Sequence, residues 1–276
     1  MVMETDAARR AYAEEVSVLG GLGDPALLRA LVDVDRAAFL PPPPWLVEHV
    51  DGGYYLVGPE RPQVLRHAVA IALDPSRRLN SGNPARIGRF IEALAPQPGQ
   101  TLLHVGAGLG YFSALLAEMV GREGRILAAE IDPVLAASAR GRLASWPQVE
   151  VVGDALALDL PVLDGIFISA GMASLPPAWL AALRPGGRIV VPLTGSGDTG
   201  FVFLLTRGDD PRRWEARMLS AQRFYSCQGA RGERALAALD HALGDPAVTR
   251  VRGLRLDAHA PGPGCWLHGD GWCLSV

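Results

Sequence analysis

The residues best placed to do chemistry sit in one short run, His104-Val105-Gly106-Ala107-Gly108-Leu109-Gly110-Tyr111, where glycines occupy alternate positions. A glycine has no Cβ, so such a run can turn tightly and let a ligand approach the backbone. Glu130 follows 20 positions after Gly110, and a carboxylate there can accept hydrogen bonds from the two hydroxyls of a ribose. Gly153-Asp154 comes next; Asp154 can accept from an adenine amino group, or it can cap a helix. A dinucleotide or S-adenosylmethionine could use these residues. The dinucleotide fingerprint separates its second and third glycines by three positions, which leaves room for a pyrophosphate at a helix N-terminus. Here the separation is two. That favours a ligand with a ribose and an adenine but no phosphate.

The elements that must position these residues follow from the apolar pattern. Residues 101–105 read as a strand ending in glycines, 111–120 as a helix, 125–131 as a strand, 133–145 as a helix and 149–152 as a strand. Then come a buried strand over 165–169, a short helix over 177–183 and strands over 188–192 and 201–206. Continuous apolar strands separated by helices imply a parallel sheet covered on both faces. Parallel strands end on one rim, so Gly106, Glu130 and Asp154 should converge there. The first third reads as helical. Asp24-Pro25 makes an N-cap and first-turn pair before Leu27, Leu28, Leu31 and Val32, and Pro41 to Pro44 stop that region. Asp51-Gly52-Gly53 is a turn, 54–57 a short strand, and 84–95 a helix with Ile87, Phe90, Ile91 and Leu94 on one face. Past Gly208, only 231–243 looks helical. Residues 257–276 are rich in Gly, Pro and Trp, and this apolar end is expected to pack on the domain or to make an oligomer contact.

Composition removes several function classes. The chain has 276 residues and a formal net charge of −3, which argues against a broad nucleic-acid-binding face. All 26 basic residues are Arg, so lysine Schiff-base and P-loop chemistry are excluded. Residues 1–15 are polar and acidic, with no apolar core of a signal peptide. No run of 18 apolar residues suggests a membrane span. A cytoplasmic enzyme is the expectation. Three cysteines are too few for a disulfide framework. His259, Cys265, His268 and Cys273 invite a metal site, but their spacings match neither C-x-x-C nor H-x-x-x-H. The expectation is no metal, with apolar buried cysteines beside Trp266 and Trp272. His67 reads as structural and Arg212-Arg213 as solvated, while Trp45, Tyr54 and Tyr55 suit either a substrate groove or a core satellite.

At this point the sequence resembles the protein-L-isoaspartate O-methyltransferases over about residues 10 to 207. The likeness rests on ordered blocks. Asp24-Pro25 through Asp35-Arg36-Ala37-Ala38-Phe39-Leu40-Pro41 is similar to the family's helical lead-in, and 105–116 to its glycine turn and helix. Ala129-Glu130-Ile131-Asp132-Pro133 and Val151-Val152-Gly153-Asp154 resemble its ribose and adenine blocks. Residues 163–171 look like its fourth strand. Leu183-Arg184-Pro185-Gly186-Gly187-Arg188-Ile189-Val190-Val191-Pro192 is close to its post-helix strand.

The resemblance implies an α/β fold: a Rossmann-like, doubly wound, seven-stranded sheet whose last strand is antiparallel, with an N-terminal helical region and a C-terminal extension. The expected parts are a substrate-side region over 1–95, the S-adenosylmethionine-binding domain over 96–207 and an extension of unknown role over 208–276. The implied activity is methyl transfer from S-adenosylmethionine to a carboxylate of a peptide or protein, leaving S-adenosylhomocysteine. Expected cofactor contacts are His104, Gly106, Ala107, Gly108, Gly110 and Tyr111 on the turn, Glu130 and Ile131 after the second strand, and Asp154 and Ala155 after the third. Expected catalytic residues are Asn80, Ser81 and Asn83.

Two positions depart from the family pattern. The family carries a Thr-Ile-Ser run two residues ahead of a proline, and here Leu79-Asn80-Ser81-Gly82-Asn83-Pro84 puts Gly82 at the serine position, with Ser81 one place early. The family also has an acidic residue two before the first glycine, contacting the cofactor's ammonium group, where this chain has His104. A neutral imidazole can accept from an ammonium; a protonated one repels it. The alternatives are a small-molecule O- or N-methyltransferase with His67 or His104 as its base, a non-catalytic S-adenosylmethionine-binding module, and a dehydrogenase.

Overall fold

Between residues 6 and 94, local signals set the helices and prolines divide them. The computed structural model describes residues 6–49, 51–257 and 259–276, so residues 1–5 of the polar N-terminal stretch lie outside it. Helix α1 is Asp6–Gly20 and α2 is Pro25–Asp33. Asp24 caps α2: its carboxylate accepts from the N–H groups of Ala26 at 2.7 Å and Leu27 at 3.3 Å, and Pro25 takes a position needing no N–H. Strand β1 (Trp45–Glu48) pairs antiparallel with β2 (Tyr54–Val57), and β3 (Ala72–Asp74) with β4 (Leu79–Asn80). Helix α3 is Pro84–Leu94. The helical reading of the first third therefore gives way, over 45–80, to two short ribbons. The strand expected over 54–57 is β2, whereas β1, β3 and β4, of two to four residues each, are too short for a period to announce them.

The remaining chain builds one sheet. Strand β5 (Thr101–Val105), α4 (Tyr111–Val120), β6 (Arg125–Ala129), α5 (Pro133–Arg142), β7 (Val149–Val152), β8 (Leu163–Ile168), α6 (Pro177–Ala182) and β9 (Leu183–Thr194) follow in order. Strands β7, β6, β5, β8 and β9 lie side by side and parallel. Next come β10 (Thr199–Arg207), β11 (Arg213–Arg223), α7 (Glu233–Leu243), β12 (Gly253–Arg255), β13 (Cys265–Gly269) and β14 (Trp272–Ser275). Strand β10 runs antiparallel to β9, and the order continues β11, β12, β14, β13, each antiparallel to its neighbour.

The α/β class and an antiparallel strand, β10, beyond the parallel ones agree with the sequence reading, although the antiparallel part continues through β14. The sheet is longer than expected, with ten strands. The residues after 207 continue it: β11 covers the open edge of β10 from Arg207↔Trp214 to Thr199↔Arg223 and satisfies backbone groups that an edge would leave unpaired. Trp266, Trp272 and Leu274 are buried in the same core.

Successive side chains of a strand point to opposite faces, and both faces are filled. Leu102, Ile126, Ala128, Phe167 and Val190 face a core shared with α1 to α4, while Leu103, Leu127, Ile166, Ile189 and Val191 face a second core with α6 and α7. Helix α4 is almost wholly buried between the sheet and α2. Truncating its Leu116, which has no exposed surface, to Ala should cost about 2–5 kcal/mol.

Candidate functional site

A cavity of about 450 Å³ opens at the C-terminal ends of β5, β6 and β7, where side walls come from segments before β5 and after β10. Its floor is the glycine turn. Gly106 (φ 78°) and Gly108 (φ 58°) adopt left-handed conformations that side-chain-bearing residues rarely take. A Cβ on Gly108 would meet no protein atom nearer than 4.0 Å, and Gly108 lines the cavity. The added atom would therefore intrude on ligand space and not on the protein. Gly106 and Ala107 donate their N–H groups to the Ala129 carbonyl at 2.9 and 3.0 Å, which ties the turn to the end of β6.

Glu130 is the acidic wall. It is only 8% exposed; Oε2 accepts from Gly108 N–H at 2.8 Å and Oε1 from Asp132 N–H at 2.9 Å. Burial pushes its carboxyl upward from the usual range, while the N–H bonds from Asp132 and Gly108 pull the other way. Each oxygen keeps a second lone pair, so the carboxylate can still accept from ligand hydroxyls. Ile131, 45% exposed, and Ala155 also line the cavity. Asp154 is exposed at the rim and caps the turn after β7 through Leu156 N–H at 2.9 Å. The capping role weighed in the sequence is therefore real, and the residue lines the cavity as well. Tyr111 reaches the cavity from the first turn of α4, with its hydroxyl 3.0 Å from that of Tyr12.

Two expected contacts are corrected. His104 does not line the cavity: its ring is fully buried, with Nδ1 2.8 Å from Ser113 Oγ and Nε2 3.0 Å from Ser169 Oγ. It shares strand parity with Leu102, so it faces α4 and not the rim, and it packs against Phe167 at 5.2 Å. Burial holds its pKa down to about 3, so the ring is neutral. Ser169 does line the cavity, so His104 acts on the site only through that hydroxyl. Gly110 also stands off the cavity. It takes φ 97° as the residue before α4, and a Cβ there would lie 2.7 Å from Leu143; its role is packing.

The loop opposite carries Asn80, Ser81 and Asn83, all lining the cavity. Asn83 lines the cavity and also caps α3. Its Oδ1 accepts from Ala85 and Arg86 N–H at 3.0 and 3.2 Å, and Nδ2 donates to the Ala68 carbonyl at 2.5 Å. Asn80 donates to Tyr54 Oη at 3.2 Å and accepts from Gly82 N–H at 2.9 Å. Ser81 Oγ accepts from Ile71 N–H at 2.9 Å and lies 3.4 Å from Arg36. Gly82 takes φ 70°, and a Cβ there would lie 2.9 Å from Phe112. A serine at this position would clash in the present loop conformation.

Sequence reasoning missed several wall residues. Arg36 is 4% exposed, and its guanidinium donates to the carbonyls of Leu65 (3.0 Å), His67 (3.1 Å) and Val69 (2.5 Å). Its partners are carbonyls, which no motif announces. Arg77 pairs with Asp132, the cap of α5, and bridges the two sides of the cavity. Tyr225, two residues after β11, lines the wall, with its hydroxyl 3.5 Å from that of Tyr54. Cys227 also lines it, and burial pushes its thiol up to about 11. Ser169 alone had a signal, as the last residue of an expected strand. His67 lies outside the lining and pairs with Glu15 at 2.9 Å.

Comparison with known proteins identifies the family. A family model described as protein-L-isoaspartate(D-aspartate) O-methyltransferase matches residues 66–222. A protein-L-isoaspartate O-methyltransferase of Methylorubrum populi is 35% identical over 217 residues, covering 77% of this chain and 91% of that protein. One from Aeropyrum pernix is 33% identical, covering 76% of this chain and 75% of its own. Among solved structures, a protein-L-isoaspartate O-methyltransferase aligns with TM-score 0.61 at 21% identity, over 80% of this chain and 67% of the other. A candidate member from Plasmodium falciparum, in complex with S-adenosyl-L-homocysteine, aligns with TM-score 0.62 at 14% identity, over 79% of this chain and 97% of the other. At those identities the structures speak to the fold, and the sequence matches, which span the glycine turn, Glu130 and the loop carrying Ser81, speak to kinship: the chain belongs to the protein-L-isoaspartate(D-aspartate) O-methyltransferase family.

Proposed function

We propose that this chain is an S-adenosylmethionine-dependent O-methyltransferase that methylates a carboxylate of a peptide or protein, as the names of its relatives describe for isoaspartate. The observation that carries the reading is the bond from Gly108 N–H to Glu130 Oε2, 2.8 Å long, which joins the glycine floor to a buried carboxylate inside the cavity. The residues suit an adenosyl ligand. Glu130 would accept from the ribose hydroxyls, Asp154 from the adenine amino group, and Gly106 to Gly108 would let the ligand lie on the backbone. Ala107, Tyr111, Ile131 and Ala155 would complete the apolar wall.

The bound donor supplies a methyl carbon on a sulfonium, which a substrate carboxylate oxygen attacks as the carbon–sulfur bond breaks, giving a methyl ester and a thioether. A carboxylate with a pKa near 4 is already ionised at neutral pH, so this chain needs no general base. Its work is alignment and exclusion of water, and alignment can contribute at most roughly 7–11 kcal/mol. Asn80 and Ser81 would hold the substrate side, with Ser81 fixed by Ile71 N–H and set beside the Arg36 cation, whose field favours an anionic substrate. His104, neutral and buried, orients Ser169. We place the substrate side in residues 1–95, donor binding in 96–207 and one wall, through Tyr225 and Cys227, in 208–276.

The reading in which a hydroxyl or amine is methylated needs a base, and neither His67 nor His104 lines the cavity. The test is transfer of a labelled methyl group to isoaspartyl and aspartyl peptides, with base lability of the product as the readout. A base-stable product, or no transfer to any peptide carboxylate, overturns the proposal.

A further inference from the structure

Away from the cavity, the last strands gather the four residues whose spacing matched no metal motif. The ligand atoms of His259, Cys265, His268 and Cys273 all lie within 4.8 Å of one another. None of the four lines the cavity.

Three of them come from one hairpin, and a bulge decides their side. In β13 and β14 His268 stands opposite Cys273, so the two share a face. Cys265 precedes His268 by three positions, an odd separation that in a regular strand points to the opposite face. The register shifts between Cys265 and Leu267, and Cys265 pairs with Ser275. The extra residue returns Cys265 to the face of His268 and Cys273. Bulges re-aim a side chain in this way.

His259 arrives from the preceding loop already oriented. Its Nδ1 bonds the Asp257 carbonyl at 2.8 Å, which puts a proton on Nδ1 and turns Nε2 towards the cluster, 3.2 Å from Cys265 Sγ. A backbone carbonyl on the far nitrogen is how metal-bound histidines are held. The Asp257 carboxylate is itself held by Arg255, from Nε at 3.0 Å and Nη2 at 2.5 Å. Nδ1 of His268 is buried and bonds nothing among the described residues, an arrangement that normally costs free energy. Cys273 has no exposed surface, and the His259 and His268 rings meet edge to face at 4.9 Å.

We propose that His259, Cys265, His268 and Cys273 form a structural zinc site of the two-thiolate, two-imidazole type. Zinc–sulfur bonds of about 2.3 Å and zinc–nitrogen bonds of about 2.0–2.1 Å imply tetrahedral edges of roughly 3.3–3.8 Å, so the widest pair closes by about 1 Å on binding. Softness and geometry favour zinc. Both cysteines would bind as thiolates, any thiol proton passing to solvent, and the two thiolates neutralise the dication. All four ligands come from protein, which describes a structural centre and not a catalytic one. It would fasten the loop 256–264 to the hairpin that ends the sheet, where a small Gly- and Pro-rich segment has little core of its own.

The test uses the full chain without an affinity tag, expressed with added zinc and purified under a phosphine reductant. Elemental analysis should find roughly one zinc per chain. After removal by a chelator, Co²⁺ alone should produce tetrahedral visible bands and a thiolate-to-cobalt band in the near ultraviolet, and Zn²⁺ should abolish both. Removing the metal should lower Tm by several degrees, about 5 °C, with recovery on re-addition. Cys265→Ser with Cys273→Ser should lose the ultraviolet band. His259→Asn lies outside the strands, leaves the hairpin intact and should weaken Co²⁺ binding at least tenfold. Zinc at trace level together with no cobalt spectrum overturns the proposal. So does a Cys265–Cys273 disulfide that persists under the reductant.

Discussion

Glu130 Oε2 accepts the Gly108 N–H at 2.8 Å, across 22 residues of chain. One carboxylate thereby shapes the glycine floor and lines the cavity. If Glu130 holds the donor's ribose as proposed, that contact and the loop conformation share one side chain and should fail together.

Glu130→Ala is expected to weaken S-adenosylhomocysteine binding by about 1–3 kcal/mol, through lost charge-assisted hydrogen bonds and a loosened turn. That corresponds to roughly 5- to 150-fold in Kd. Calorimetry measures it, and an unchanged Kd removes Glu130 from the site.

Gly108→Val and Gly110→Ala should differ in binding, although both strain a positive-φ backbone. At Gly108 the new side chain enters ligand space, so affinity should be abolished. At Gly110 a Cβ lies 2.7 Å from Leu143 at φ 97°, and the strain should lower stability by on the order of 1–3 kcal/mol. Urea melts read beside calorimetry distinguish the two. Both positions have positive φ, so both variants should lose some Tm; retained affinity in Gly108→Val, or lost affinity in folded Gly110→Ala, would contradict the assignment.

His104 makes stability depend on pH. Its folded pKa of about 3 lies below its usual 6.5, because burial disfavours the imidazolium. The unfolded chain therefore binds the proton more readily. The contribution is complete above pH 6.5 and is lost as pH falls towards 3, by up to about 1.4 kcal/mol per pH unit. In His104→Gln this component should vanish, leaving only the carboxylate dependence. Parallel curves for the two proteins in urea melts over that range would refute the neutral, buried assignment.

Asn83→Ala should cost about 0.5–2 kcal/mol through loss of the α3 cap. Asn83→Ser, which keeps a capping oxygen, should recover most of it, along with activity. If both variants lose methyl transfer while keeping Tm, Asn83 acts on substrate and the capping assignment is wrong.

Much of this protein was legible in its sequence because the governing signals are local. Apolar runs with turn residues between them fix β5 to β9 and their helices. Glycine alternation after a strand fixes a floor that a ligand can approach, and a carboxylate at the next strand end falls on the same rim because parallel strands end together. Asp24 before Pro25 announces its own cap. Tertiary structure decided what those signals leave open. Strand parity sent His104 inward against Ser113 and Ser169, whereas its place beside the glycines suggested a ligand contact. Carbonyls from three separate residues made Arg36 a wall of the cavity. A single bulged residue turned Cys265 to meet His268 and Cys273, and a loop brought His259 to them. Spacing along the chain counts residues, whereas a ligand set depends on faces and distances, and those are settled only when distant strands pair.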